Sequence, residues 1–224
     1  MLELINITIA IEANSVRHGT VAAPRVIVQG LSAQVRAGEV LVVMGDSGSG
    51  KSSLLAWVSG TLPAGLIASG RVRLDGRELT GLPTAQRRVG LLFQDDLLFP
   101  HMSVLDNLLF ALPAGDRSAR LAQAEAALVQ ADLAGFGPRF PHTLSGGQRA
   151  RVSVLRALLA QPGALLLDEP FSRLDAALRE RFRAFVFERL RVQGVPALLV
   201  THDRHDMPVG AQVIHLQPPE AAHA

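Results

Sequence analysis

The run Gly45-Asp46-Ser47-Gly48-Ser49-Gly50-Lys51-Ser52-Ser53 carries the plainest chemistry in the chain. It fits G-x-x-x-x-G-K-[ST], a loop whose backbone N–H groups wrap an anion where a helix begins. Lys51 is placed to reach the β and γ phosphates of a nucleotide, and the Ser52 hydroxyl to complete the shell of a Mg²⁺ ion. Lys51 is the single lysine among 22 basic residues, the others being arginine. A bias that strong is overruled at one position, where a guanidinium fork is too broad for a phosphate cradle.

Other polar groups follow short apolar runs. Asp168 and Glu169 come after Ala164-Leu165-Leu166-Leu167. Asp168 suits a Mg²⁺ ligand, and Glu169 suits the acceptor that polarises an attacking water toward the γ phosphorus. His202 leaves Ala197-Leu198-Leu199-Val200-Thr201, where it could contact a γ-phosphate oxygen. Gln94 ends Leu91-Leu92-Phe93 and would sense both the metal and the water. Leu144-Ser145-Gly146-Gly147-Gln148 opens a helix, and its small residues leave N–H groups and the positive end of a helix dipole free for an anion. The helical segment before it would hold this second grip away from the first, and two copies arranged head to tail resolve that.

The elements that must place these residues read as follows. Leu4 to Ile11, Val26 to Val35, Val40 to Met44 and Gly70 to Leu74 are strand candidates, some of them forming an antiparallel layer. Val40 to Met44 is apolar throughout, as expected of a strand buried on both faces, and Ser53 to Val58 beyond the glycine loop has helical spacing. Val89 to Phe93, Ala164 to Leu167 and Ala197 to Val200 are further strands. Helical patterns cover Val104 to Asp132, Gln148 to Leu159 and Arg179 to Val192, and Gly135 to Pro141 is a breaker-rich linker. Alternation of strand and helix predicts a parallel sheet with ligands at the carboxyl ends of its strands.

Composition narrows the class. The 224 residues suffice for one α/β domain. Its apolar runs are too short to span a bilayer, and the N-terminus has no secretory pattern. Cysteine is absent, so disulfides and thiolate metal sites are excluded. With a net charge of only +2 and no basic stripe interleaved with aromatics, nucleic acid is not an expected partner.

Taken together, these residues resemble the nucleotide-binding subunit of an ATP-binding cassette (ABC) transporter, over nearly the whole chain. Gly45 to Ser52 is similar to the Walker A loop, Gln94 to the Q-loop glutamine and Leu144 to Gln148 to the LSGGQ signature. Asp168 and Glu169 resemble the Walker B aspartate and catalytic glutamate, Ser172-Arg173-Leu174-Asp175 the D-loop, and His202 the switch histidine. The resemblance implies a P-loop NTPase (RecA-like) α/β core with a parallel sheet, an N-terminal antiparallel β layer and an inserted α-helical signature subdomain. It forms one domain over residues 1–224, with the β layer and Walker A core in about 1–90, the helical subdomain in about 95–157 and the rest of the core in about 158–224. It implies an ATP-hydrolysing subunit using ATP and Mg²⁺. Each ATP would lie between one copy's Gly45 to Ser53 and the other copy's Ser145, Gly146, Gly147 and Gln148. Ser52, Gln94 and Asp168 would attend the metal. Transmembrane permease subunits, a second copy and a periplasmic substrate-binding protein are the implied partners, at the cytoplasmic face of the inner membrane.

The family's usual aromatic on the adenine is missing, because the chain has no tyrosine; His18, before Gly19, is the nearest substitute. The D-loop carries Arg173 where alanine is common, putting an extra positive charge near the expected dimer interface. The chain ends soon after His202, so no C-terminal regulatory domain is expected. The run from Leu91 to Val104 most resembles small bacterial importer ATPases of the thiamine, iron and polyamine type. Within it, Leu98 and Phe99 are expected to help form the surface that receives a coupling helix of the permease. A lipoprotein-release or efflux ATPase has the same catalytic parts and stays open. A soluble ABC ATPase acting on nucleic acid or ribosomes also stays open, though the second cassette or coiled-coil insertion usual there is absent.

Overall fold

The computed structural model describes residues 1–12, 16–17, 20–21 and 24–217. It begins with β1 (Leu2–Ile11), the short antiparallel pair β2 (Val16–Arg17) and β3 (Thr20–Val21), and then β4 (Arg25–Val35). There follow β5 (Val40–Met44), α1 (Lys51–Ser59), β6 (Leu66–Leu74), β7 (Arg77–Glu78), α2 (Thr84–Arg87) and β8 (Val89–Leu92). The helices α3 (Val104–Ala111), α4 (Arg117–Gln130) and α5 (Gly146–Leu159) come next. The chain closes with β9 (Ala164–Asp168), α6 (Ala176–Gln193), β10 (Ala197–Val200) and β11 (Gln212–His215).

Two sheets result. One is antiparallel, in the order β4-β1-β6-β7; the other is parallel, in the order β11-β5-β10-β9-β8. The apolar runs of β5, β9 and β10 split their side chains between two cores. Val40, Val42, Leu165, Leu167, Ala197 and Leu199 face a core shared with α3 to α6. Leu41, Val43, Ala164, Leu166, Leu198 and Val200 face a second core shared with α1 and the antiparallel sheet. Burial on both faces is why these runs do not alternate with polar residues. Each leucine removed from water contributes about 1.5–3 kcal/mol, so the register that points the strand ends at the site is strongly fixed.

The observed elements depart from the sequence expectations in instructive places. The helical stretch from Val104 to Asp132 breaks into α3 and α4 because Pro113 has no N–H for a continuing turn. Helix α5 starts at Gly146, two residues before Gln148, capped by Ser145, and α6 starts at Ala176, capped by Asp175. β6 begins at Leu66 rather than Gly70, which stands at an irregularity where the β1–β6 register shifts between Ile5 and Thr8. β8 ends at Leu92, leaving Phe93 in the loop. β11 was not expected; only four residues long and half-buried, it takes its place by pairing with β5. Among the described residues no helix is long and apolar enough to cross a membrane.

Candidate nucleotide site

All five parallel strands end at one edge: Val200 is level with Asp168, Leu167 with Leu92, Val43 with Val200, and Met44 with His215. That edge gathers the glycine loop, Gln94, Asp168, Glu169 and His202.

The loop is shaped by two close approaches. Gly45 has φ +155°, and a Cβ there would stand 2.5 Å from the Leu216 carbonyl oxygen; Gly50 has φ +94°, and a Cβ would stand 2.8 Å from Val28 Cγ2. Neither position admits a side chain. Asp46, Ser47 and Gly48 are exposed while Ser49 is fully buried, its hydroxyl finding no partner among the described residues. Helix α1 starts directly after Gly50 with no side-chain cap and no acidic residue in its first turn. Its N–H groups and the positive end of its dipole are left for an anion. Lys51 Nζ donates to the carbonyl oxygens of Gly45 (2.8 Å) and Asp46 (2.7 Å), which stations its charge across the loop. This cradle fits a polyphosphate.

Beside it, Ser52 Oγ donates to Asp168 Oδ2 at 3.2 Å, so the hydroxyl and carboxylate expected to share a metal stand together. Burial pushes the Asp168 carboxyl above the ordinary aspartate range; the Ser52 bond opposes this, the charge of Glu169 adds to it, and Lys51 opposes it again. Among the described residues no cluster of three or more His, Cys, Asp or Glu could hold a metal ion.

Glu169 turns away from β9 with φ +46°, a left-handed conformation rare for a non-glycine residue. Its N–H is held by the Val200 carbonyl at 3.0 Å and its carbonyl accepts from Ser172 Oγ at 2.9 Å. Its Oε1 lies 2.9 Å from His202 Nδ1, a bond in which the carboxylate accepts. His202 is held from behind by residues the sequence reading missed. Asp206 is almost fully buried, accepting from Arg179 at 2.7 and 2.9 Å and from Thr201 Oγ1 at 2.8 Å. Asp203 pairs with Arg179 at 2.8 Å and is lowered to about 2, first by the His205 N–H and then by the His205 ring. Both neighbours of His202 are thereby clamped to the start of α6. A buried aspartate so near a strand end demanded a cationic partner, but its position in sequence did not say which arginine.

Gln94 lines a narrow cleft with Glu169, Ser172 and Arg173, and among the described residues it bonds neither Ser52 nor Asp168. Ser145 and Gln148 cap each other: Ser145 N donates to Gln148 Oε1 at 2.8 Å, and Gln148 N to Ser145 Oγ at 3.3 Å. The carbonyl of Gln148 is therefore engaged within its own helix, leaving only its amide NH₂ for a ligand. No hydrogen bond among the described residues joins 145–148 to 45–53; Gly147 instead packs on the Arg173 carbonyl and on Leu174. Arg173 is neutralised within the chain by Asp95 (3.0 Å) and Asp96 (3.3 Å), so it is not a free positive charge. His18 lies outside the described residues.

Past Gln94, a groove of about 340 Å³ is lined by Phe93, Leu97, Phe99, Phe110, Arg156 and Ala157 over a floor of β8. Leu98 was expected on this surface, but it packs against the main core. Leu97 is the outward residue, 56% exposed, because its φ of +44° reverses the chain there. Phe99 stays in the groove, edge-on to Phe110 at 4.9 Å and under the Arg156 guanidinium at 5.4 Å.

The sequence model of the ABC transporter family matches residues 28–172. Over 180 residues the chain is 50% identical to the uncharacterized ABC transporter ATP-binding protein YnjD of Escherichia coli K12, covering 80% of this chain and 83% of that protein. Over 198 residues it is 40% identical to the Fe(3+) ions import ATP-binding protein FbpC of Rhizobium etli. That match covers 87% of this chain but 55% of FbpC, so the chain spans about half that relative's length. Among solved structures, the ATP-binding cassette MJ0796, a dimer in a post-hydrolysis state bound to ADP and Pi, superposes with a TM-score of 0.80 at 27% identity. The superposition covers 97% of this chain and 96% of that one.

Proposed function

The chain belongs to the ABC transporter family, whose ATP-binding cassettes hydrolyse ATP to drive transport, and from that premise we propose that it is the ATPase subunit of a bacterial uptake system. It works at the cytoplasmic face of the inner membrane as a head-to-tail pair, energising permease subunits that import a small solute delivered by a periplasmic binding protein. One observation carries this reading: Ser52 beside Asp168, and Glu169 beside His202, at the mouth of one sheet next to an uncapped helix N-terminus. Import rather than export is supported by the likeness to FbpC.

In this reading the N–H groups of Gly45 to Ser53 and the Lys51 ammonium hold the phosphates. Ser52 and Asp168 would hold Mg²⁺, with Gln94 near it. When bound, the ion supplies neutralisation of charge on the β and γ phosphates. Glu169 accepts the hydrogen bond of the attacking water, and His202, oriented through Nδ1 by Glu169, leaves Nε2 for the γ-phosphate. The second copy's Ser145, Gly146 and Gly147 close over the nucleotide, which accounts for a signature helix that makes no bond to its own chain's cradle. The groove beyond Gln94 receives an apolar helix of the permease.

Glu169→Gln tests this reading. The variant should keep ATP and Mg²⁺ binding, lose about 10²–10⁴-fold in turnover, the worth of a positioned general base, and run as a dimer in size-exclusion chromatography when ATP is present. A monomer peak in ATP would overturn the paired arrangement, and unchanged turnover would overturn the role of Glu169.

A further inference from the structure

Three segments that belong to different parts of the proposed cycle meet at Asp96. The residue follows Gln94 and opens the groove segment. Its carboxylate accepts from Arg149 Nε at 2.9 Å, in the first turns of α5 after the signature, and from Arg173 Nη1 at 3.3 Å, in the turn Ser172 to Asp175. Its carbonyl accepts from Ser153 Oγ at 2.7 Å. Arg173 spans two carboxylates, because its Nη2 also bonds Asp95 Oδ1 at 3.0 Å. The backbone of Arg173 lies on Gly147, where an added Cβ would be 3.2 Å from the Arg173 oxygen.

The two halves of this cluster differ in permanence. Asp96 is 11% exposed, and its bonds to Arg149 and Ser153 fix the groove rim to α5. Asp95 is 81% exposed and Arg173 36%, so the Arg173 half lies in solvent, where ion pairs make and break readily. Next along the chain, Leu97 holds its left-handed conformation and presents its side chain to the groove. Such a conformation persists in a leucine only where its surroundings fix it, and the anchored Asp96 is its immediate neighbour.

We propose that Arg173 is a positioning residue: an interlock that ties the Ser172 to Asp175 turn to the groove rim through Asp95 and Asp96, so that nucleotide-driven movement of the turn reaches Leu97. This rests on the nucleotide-site reading above and extends it to how the site is coupled to its partner. The planar fork is required, since one guanidinium meets two carboxylates at once and a lysine ammonium holds only one of them well.

The absence of cysteine makes the test direct. Leu97→Cys in a Glu169→Gln background accepts one environment-sensitive thiol-reactive fluorophore at the groove rim. ATP affinity is measured separately by equilibrium titration of each variant. In this parent, ATP with Mg²⁺ should shift the label's emission. Adding Arg173→Ala should reduce the shift severalfold and leave the ATP titration midpoint within about twofold. Arg173→Lys should recover only part of it. No shift in the parent, or an undiminished shift with Arg173→Ala, overturns the interlock. A parent that binds no ATP in equilibrium titration overturns the nucleotide reading, and the interlock falls with it.

Discussion

The carboxyl edge of the parallel sheet and the rim of the apolar groove both hold loops in unusual shapes, and they do it by different means. At the sheet edge, Glu169 sits in a left-handed conformation one residue beyond a strand whose Leu165, Leu166 and Leu167 are fully buried. Behind it, Asp206 is locked to Arg179 out of solvent. At the groove rim, Leu97 is likewise left-handed, but the charges that hold the segment are partly in water and its aromatic neighbours, Phe93 and Phe110, are exposed. Residues expected to do chemistry are fixed by burial, which costs several kcal/mol to undo. Residues expected to relay motion are fixed by contacts that exchange for about 1 kcal/mol or less.

The sharpest way to break this contrast is at the buried clamp. Arg179→Ala leaves the Asp206 carboxylate buried without its cation, which should cost about 3 kcal/mol of stability in denaturant unfolding, with loss of turnover as His202 loses its support. A cost near that of an exposed pair would show that the edge is no firmer than the rim. Lys51→Ala should have a smaller effect on the fold and a larger one on the ligand. Losing a charge-assisted contact weakens ATP binding roughly 10–100-fold by equilibrium titration, and normal affinity would contradict the cradle.

The same contrast explains what was legible in the sequence. That the glycine loop, Asp168, Glu169 and His202 gather at one sheet edge was readable because they follow short apolar strands, and such strands announce where they end. The parallel sheet followed for the same reason. The clamp of Arg179 on Asp203 and Asp206, and of Arg173 and Arg149 on Asp96, links residues 24 to 77 positions apart with no periodicity to reveal them. In a chain with 21 arginines, no spacing rule selects these three. Leu97 rather than Leu98 lines the groove because one left-handed residue changes which side chain of a loop faces out, and adjacent leucines give no hint of which will turn. β11 escaped notice because its half-buried residues take their place by pairing with β5 rather than from their own pattern.

At the rim, Phe99→Ser removes a groove aromatic that packs edge-on to Phe110 without joining the fully buried core. Folding and ATP turnover of the isolated subunit should change little, while co-purification with the permease and transport should be lost. A variant that unfolds would place Phe99 with the core, and one that still drives transport at the normal rate would remove the groove from the coupling path.

The smallest effect separates the two acids that flank this machinery. Asp168 has its pKa raised by burial, so it takes up a proton at higher pH than an ordinary aspartate near 3.9, and the protonated form is a poor metal ligand. Mg²⁺ affinity should therefore fall as pH falls, beginning above the ordinary aspartate range. Asp203 runs the opposite way: lowered to about 2, it contributes stability that is complete above the unfolded value near 3.9 and is lost only as pH falls through about 2. As pH falls toward the aspartate range the Asp203–Arg179 pair stays charged while the Ser52–Asp168 pair loses its carboxylate. The Mg²⁺ concentration for half-maximal ATP hydrolysis should rise before any stability carried by the Asp203 pair is lost. Ser52→Ala removes both a proposed metal ligand and the hydroxyl bond that lowers the Asp168 pKa, so it should raise the Mg²⁺ requirement at every pH and start its acid-side rise at higher pH. A flat Mg²⁺ requirement with falling stability would assign the acid sensitivity to the clamp instead, and with it reverse which side of the site is the more firmly held.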